Sequence, residues 1–153
     1  MALRIEDYAI IGDCETAALV GKDGSIDWLC WPAFSSGACF AALLGDDSNG
    51  YWRIAPSTNL VNTTRKYRDH TLILETTFEA SDGTFKLIDF MPSRGRHSDI
   101  VRIVQGVKGS TAIRMELALR FVPWEKRFRR WQQSCPVENN PAGYDPCVFS
   151  NAI

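Results

Sequence analysis

Alternation of apolar and polar residues with a period of two runs through most of this 153-residue chain. Between positions 71 and 80, Leu72, Leu74 and Phe78 fall on one side and most of the intervening polar residues fall on the other. Successive side chains of a strand point to opposite faces, so this pattern is typical of a half-buried antiparallel strand. Short turn segments interrupt the alternation, and we therefore expect a series of β-hairpins.

The turn segments contain glycine, which relieves the steric strain of a tight reversal. They predict three hairpins, over residues 17–28, 71–91 and 100–121, the last with its turn at Lys108-Gly109-Ser110. Two further segments rich in β-branched and aromatic residues, 51–54 and 60–67, are predicted as strands.

Segment 38–44 (ACFAALL) is predicted as the one short helix, because it contains good helix formers and ends before Gly45. Strands that alternate and are joined by short turns must bury one face against a second sheet. The prediction for the fold is therefore all-β, an antiparallel two-sheet β-sandwich with one short helix.

The alternation stops near Val122. Residues 122–153 hold four of the seven prolines and two of the five cysteines. We divide the chain into a β-sandwich domain over residues 1–121 and an atypical tail over 122–153. Two interpretations of the tail are open, namely a surface extension packed by its own aromatic residues and a sequence foreign to the domain.

Composition excludes several classes of function. The formal net charge of −1 offers no basic excess to neutralise a nucleic acid backbone. No apolar run reaches the roughly 18 residues of a membrane span, and no signal peptide is apparent, so we expect a cytoplasmic protein without membrane contact. The five cysteines lack Cys-x-x-Cys spacing, and nucleotide motifs are absent, so neither a metal nor a cofactor is expected.

Carboxylates are the first candidates for chemistry. Asp13 and Glu15 would share one face of an extended segment, and Asp27 and Asp89 lie near aromatic residues. Among eighteen acidic residues, however, close pairs are expected by chance. The neighbours at 97–99 (HSD) cannot form a catalytic triad, because adjacent side chains on an extended chain point apart. No catalytic residue is assigned.

Aromatic residues crowd the segment after the second predicted strand of the first hairpin. Trp28 is assigned to the core. Trp31 and Phe34, together with Ser35, are predicted to face an interface or a sugar, because aromatic rings fill interface pockets and stack on the apolar face of a pyranose. Plain core packing is the alternative for these two rings.

Several ordered motifs carry a resemblance to a known family: IEDYAIIGDCETAALV (5–20), DGSIDWLCWP (23–32), CFAALLG (39–45), YRDHTLILETTF (67–78) and LIDFMP (87–92). With them, residues 3–121 resemble the amino-terminal domain of bacterial family 15 glycoside hydrolases, the trehalase and glucoamylase-like enzymes. The resemblance implies a β-sandwich that precedes a much larger (α/α)₆ barrel. Both catalytic glutamates of that family lie in the barrel, so no position here inherits their role.

The chain departs from the family pattern in two places. The family loop Pro-Arg-Phe-Asp-Ser-Pro reads PAFSSG over residues 32–37, which removes an arginine and an aspartate. After residue 121 the family pattern is lost, so the tail resembles a shortened or out-of-frame continuation. The resemblance implies a truncated or orphan amino-terminal domain, inactive alone, with a structural, assembly or sugar-binding role.

Two alternatives come from other classes: a small stand-alone hydrolase with a carboxylate or His97 site on the sandwich, and a carbohydrate-binding module that uses Trp31 and Phe34. The expected partners are a second copy of the chain, an α-glucoside, or a separate catalytic barrel. A homo-oligomer is expected because a domain without its barrel would expose an apolar surface, and such surfaces tend to bind partners.

Overall fold

The computed structural model describes residues 3–95, 97–120, 129–138 and 147–151. These residues form eleven strands and three single-turn 3-10 helices. The helices are Ile5–Asp7, Ala42–Leu44 and Asp47–Asn49. The strands are β1 Tyr8–Gly12, β2 Ala17–Gly21, β3 Ser25–Cys30, β4 Ala38–Phe40, β5 Tyr51–Pro56, β6 Leu60–Tyr67, β7 Leu74–Ala80, β8 Gly83–Phe90, β9 Ile100–Leu119, β10 Arg129–Glu138 and β11 Cys147–Asn151.

All pairings among the described strands are antiparallel, which confirms the all-β class. The main path of the sheet is β1-β2-β3-β5-β9-β8-β7-β6, with β4 on β3 and with β10 and β11 on β9. The two ends of this path meet through side chains. The Tyr67 hydroxyl on β6 accepts from the Ile10 N–H (2.9 Å) and donates to the Ile10 carbonyl (2.8 Å) on β1. The sheet is therefore curled on itself.

Strand β9 joins the two halves of the sheet. Its first part pairs with β8 and its second part with β5, so the predicted hairpin over 100–121 is wrong. The chain passes straight through Gly109, whose φ is 69°, without reversing. A Cβ on Gly109 would lie 2.7 Å from the Asp82 carbonyl oxygen, so this glycine permits a close approach to the neighbouring turn.

The other predicted strands are confirmed. Hairpin 17–28 is β2 and β3, and hairpin 71–91 is β7 and β8 with its first strand starting at Leu74. Segments 51–54 and 60–67 are β5 and β6. The two-sheet description holds in part, because β9 belongs to both halves and makes them one continuous sheet.

The predicted helix over 38–44 is limited to one 3-10 turn at Ala42–Leu44, and Ala38–Phe40 is a strand. Phe40 pairs with Leu29 of β3, and its side chain is buried in the largest core cluster. Seven residues form too short a helix to be stable by themselves, so the pairing with β3 and the burial of Phe40 decide the conformation.

The core lies between the two halves of the curled sheet. The largest apolar cluster combines Ile11, Leu29 and Trp52 from one half with Leu74 and Met91 from the other. In a second cluster, the rings of Phe78 and Phe85 stack with centroids 5.0 Å apart and pack with residues of β5 and β9. Trp28, which we assigned to the core, is only half-buried.

A charged side chain stands at the junction of the halves. Arg102 of β9 is fully buried and donates to Asp89 of β8 through Nε (2.8 Å) and Nη2 (3.2 Å). It also donates to the carbonyls of Trp52 (2.6 Å) and Gly24 (2.8 Å). One guanidinium thus connects β5, β8, β9 and the turn before β3.

The tail contributes two strands to the sheet. β10 pairs with residues 110–119 of β9, and β11 pairs with residues 100–104. The buried side chain of Val137 belongs to the second core cluster. The proposed domain boundary at 121 and the tail residue Trp124 lie outside the described residues. No helix in the described part of the chain is long and apolar enough to cross a membrane.

Candidate functional site

The three residues predicted to face a partner lie in the segment between β3 and β4, residues 31–37, which we call the Trp31 loop. Trp31 is half-buried and packs against the largest core cluster. Phe34 has 63% of its surface exposed, and Ser35 is exposed. Within this loop, Trp31 therefore contacts the core and the ring of Phe34 lies in solvent.

Backbone hydrogen bonds hold the Trp31 loop in shape. The Trp31 N–H donates to the Gly37 carbonyl (3.2 Å), and the Ser36 N–H donates to the Ala33 carbonyl (2.9 Å). The Phe34 N–H donates to the carbonyl of Glu15 in the turn between β1 and β2 (3.0 Å). Phe34 thus stands on an ordered loop and not on a loose one.

Arg94, in the segment between β8 and β9, ties this loop to its surroundings. Its guanidinium donates to the Pro32 carbonyl, to the Ser98 hydroxyl (3.0 Å) and to Asp13 Oδ2 (3.0 Å from Nε). Nη1 forms an ion pair with Glu15 Oε2 at 3.0 Å. The side chains of Asp13, Glu15, Arg94 and Ser98 are called the Arg94 cluster below.

Asp13 is the buried carboxylate of this cluster, with no exposed side-chain surface. Burial alone would raise its pKa, but hydrogen bonds from the N–H groups of Thr16 (2.8 Å) and Glu15 (3.0 Å), from Arg94 and from Ser98 outweigh burial. The pKa of Asp13 is therefore lowered. A carboxylate held in its charged form accepts hydrogen bonds and does not supply a proton near neutral pH.

The other carboxylates singled out in the sequence have separate partners. Asp27 is buried and accepts from the hydroxyls of Tyr8 (2.7 Å) and Ser25. Burial is the main reason that the pKa of Tyr8 lies above its ordinary value, and the hydrogen bond that Tyr8 donates to Asp27 raises it further. Asp89 accepts from Arg102. The structure therefore brings Asp13 and Glu15 together through Arg94, and it leaves Asp27 and Asp89 in networks of their own.

In the segment 97–99, the neighbours His97 and Ser98 lie in different surroundings. His97 is exposed, whereas Ser98 is buried and donates to Asp13 Oδ2 (2.9 Å). Among the described residues, no group of three His, Cys, Asp or Glu side chains could hold a metal ion. The Arg94 cluster can position the loops that it joins, and its one guanidinium pairs with both of its carboxylates.

A shallow depression of about 520 Å³ surrounds the turn between β6 and β7, lined by Tyr67, Arg68, Asp69, His70, Thr71 and Leu72. Arg68 in this lining forms an ion pair with Glu75, with Nε 2.6 Å from Oε1. Glu75, which the alternation placed on the solvent face, is buried and also pairs with Lys86 at 3.1 Å. These pairs stabilise the hairpin beside the depression.

Nothing in the sequence marks Arg94 as a partner of Asp13. It lies in an irregular polar segment with no periodicity, and 81 positions separate it from Asp13. An arginine in such a segment is ordinarily a solvated surface residue. Only the approach of three separate loops gives Arg94 its partners.

Comparisons with known proteins agree with the resemblance seen in the motifs. A family model described as "Trehalase-like, N-terminal" matches residues 1–127. The chain is 40% identical over 79 residues to a trehalase of Mycolicibacterium smegmatis, a match that covers 52% of this chain and 12% of that protein. It is 38% identical over 98 residues to a trehalase of Mycobacterium tuberculosis, which covers 64% and 14%.

A trehalase of Thermoplasma volcanium is 38% identical over 91 residues, or 58% of this chain and 15% of that protein. No solved structure matches the chain significantly. The matched region thus spans about one seventh of the length of these trehalases.

Proposed function

Because the chain belongs to the family of trehalase-like N-terminal domains, we propose that it is a non-catalytic accessory domain of a family 15-type glycoside hydrolase, and that it docks through the Trp31 loop. The observation that carries this proposal is the exposed ring of Phe34 on a loop fixed to both Glu15 and Arg94. Aromatic anchors of this kind dominate the binding energy of many protein interfaces.

The fixed shape of the loop supports docking. The ring of Phe34 is 63% exposed, although the N–H groups of Trp31, Phe34 and Ser36 all form backbone hydrogen bonds. Association restricts mobile side chains and loops at an interface, and this entropy loss is smaller when the loop is already ordered. A preorganised apolar group in solvent is therefore suited to enter a pocket on a partner.

The partner that we propose is a catalytic domain of the trehalase type, in the same polypeptide or in trans. Without such a domain, a second copy of this chain would cover the same apolar surface, which gives a homodimer. Neither role requires a catalytic group in this domain, in agreement with the internal pairing of Asp13 by Arg94.

Binding of an α-glucoside is a second candidate. Phe34 is exposed next to Glu15, whose side chain is 59% exposed and whose carbonyl accepts the Phe34 N–H. An aromatic face beside a carboxylate offers the stacking surface and the hydrogen-bond acceptor that sugars use.

A hydrolysis assay tests the non-catalytic role. We expect no glucose release from trehalose, maltose or longer α-glucans, because inversion requires an acid and a base carboxylate facing each other across the bond. Turnover by the purified chain that disappears in Asp13→Asn or Asp27→Asn would contradict the proposal and support a stand-alone hydrolase instead.

Binding experiments on Phe34→Ala test the docking surface. We expect the wild-type chain to bind the separately purified catalytic region of a trehalase relative, or to dimerise in light scattering, and we expect Phe34→Ala to weaken whichever association occurs. Val61→Ala is the matched control, since Val61 is 71% exposed on β6 and belongs to neither the Trp31 loop nor the Arg94 cluster. Equal association in both variants would contradict docking through Phe34. Tryptophan fluorescence titrated with trehalose and maltose tests the sugar role.

A further inference from the structure

We infer that Arg94 is a positioning residue that sets the conformation of the Trp31 loop, and this inference rests on the proposed role of that loop in docking. Arg94 belongs to the segment between β8 and β9 and reaches the loop through the Pro32 carbonyl. It is distant in sequence from the loop, by 62 positions at Pro32.

Each nitrogen of the Arg94 guanidinium has a partner inside the protein. Nε donates to Asp13, Nη1 lies 3.0 Å from Glu15 Oε2, and Nη2 donates to the Pro32 carbonyl and the Ser98 hydroxyl. With 16% of its side chain exposed, Arg94 has little access to solvent. Most of its donors are used within the protein, which suits Arg94 to orient its neighbours.

The partners of Arg94 belong to the Trp31 loop itself, to the turn between β1 and β2 and to its own segment between β8 and β9. Asp13 and Glu15 lie in the turn between β1 and β2, and Glu15 also accepts the Phe34 N–H through its carbonyl. Arg94 therefore fixes Glu15 and Pro32 relative to each other. Phe34 is connected to both, because its N–H donates to the Glu15 carbonyl and it follows Pro32 by two positions. Loss of the guanidinium should remove its contacts with the Glu15 carboxylate and with the Pro32 carbonyl at the same time.

The shape of the guanidinium matters as well as its charge. Its planar fork directs several N–H groups to separate acceptors at once, whereas a lysine ammonium is a compact charge on a flexible stem. Lysine at this position can keep an ion pair with Asp13 but cannot reproduce the set of bonds to Glu15, Pro32 and Ser98. Arg94→Lys thus separates the effect of charge from the effect of geometry.

Hydrogen exchange of the full chain, followed by mass spectrometry, tests this role. The reporters are the amides of Trp31, Phe34 and Ser36, which are hydrogen-bonded within or beside the loop. We expect Arg94→Ala and Arg94→Lys to speed their exchange by about tenfold or more, because local opening sets the exchange rate, while the amides of β7 and β8 keep their protection. Arg68→Ala is the matched control, since Arg68 also pairs with a buried carboxylate, Glu75, which is not a member of the Arg94 cluster.

Wild-type exchange of the loop in Arg94→Lys would overturn the inference, because the bonds of the guanidinium to Glu15, Pro32 and Ser98 would then not be what holds the loop. The same variant decides the matter if Arg94→Ala fails to fold. Faster loop exchange equal to that of Arg68→Ala would overturn it too. If the loop loosens as expected but association is unchanged in Phe34→Ala, the positioning role of Arg94 stands and the proposed docking function fails.

Discussion

Two arginine–aspartate pairs of similar geometry lie in very different parts of the molecule. Arg102 and Asp89 are both fully buried at the junction of the sheet halves, with Nε and Oδ1 2.8 Å apart. Arg94 and Asp13 pair between the segment that follows β8 and the turn that follows β1, with Nε and Oδ2 3.0 Å apart and with 16% of the arginine side chain exposed. The further partners of Arg102 are carbonyls of Trp52 and of a turn glycine, whereas those of Arg94 include a loop carbonyl and an exposed carboxylate.

The difference shows how surroundings give one kind of ion pair two roles. A pair removed from water loses hydration that its attraction only partly restores, and breaking it leaves a charge without compensation. The inner pair therefore makes the junction of β8 and β9 sensitive to substitution. The outer pair retains some access to water, so its main effect is on the arrangement of the loops that it joins.

The largest expected effect comes from breaking the inner pair. Arg102→Met leaves Asp89 charged and buried and removes donors from two carbonyls, so we expect a loss of about 3–5 kcal/mol in the free energy of unfolding. Urea denaturation measures it. The double variant Arg102→Met with Asp89→Leu removes both charges and should regain part of the loss. A single variant as stable as the wild type would contradict the structural role of the pair.

Arg94→Met should have a smaller effect, a loss of about 1–3 kcal/mol in the same experiment. Asp13 keeps its hydrogen bonds from Thr16, from the Glu15 N–H and from Ser98, so its charge stays solvated by the protein. A loss equal to that of Arg102→Met would remove the distinction between the two pairs.

Acid should weaken the outer pair through Asp13. Its folded pKa lies below the ordinary value of 3.8, so its contribution to stability is complete above that value and is lost as the pH falls through the folded pKa. We expect the stability difference between the wild type and Asp13→Asn to shrink as the pH drops below about 4. A difference that stays constant from neutral pH into the acid range would show that the charge of Asp13 does not matter.

The smallest expected effect is that of Phe34→Ala on stability. Phe34 is 63% exposed, so we expect a change within about 0.5 kcal/mol. The same substitution at the fully buried Phe85 should remove about 3–5 kcal/mol and serves as the contrast. A large loss at Phe34 would mean that its ring supports the fold and is not reserved for a partner.

Much of the fold was predictable because alternation is a local property. The hairpin of β7 and β8 follows from side chains that alternate between core and solvent, and Phe78 is buried as its position predicts. Glu75 departs from this rule, because Arg68 and Lys86 compensate its charge and allow its burial. The aromatic residues of the Trp31 loop are evident in the sequence, but the support of the loop by Arg94 is not.

The sequence by itself determined the strands of the clearly alternating segments, such as β7 and β8, since the two-residue period of a strand is set by backbone geometry that each segment carries alone. It did not determine that β9 runs straight through Gly109, or that Phe40 joins a strand and not a helix. Those outcomes depend on which strand edges are free to pair, and the partners come from distant parts of the chain. The Arg94 cluster was decided in the same way, because its charges meet only after the fold brings the turn between β1 and β2 to the segment between β8 and β9.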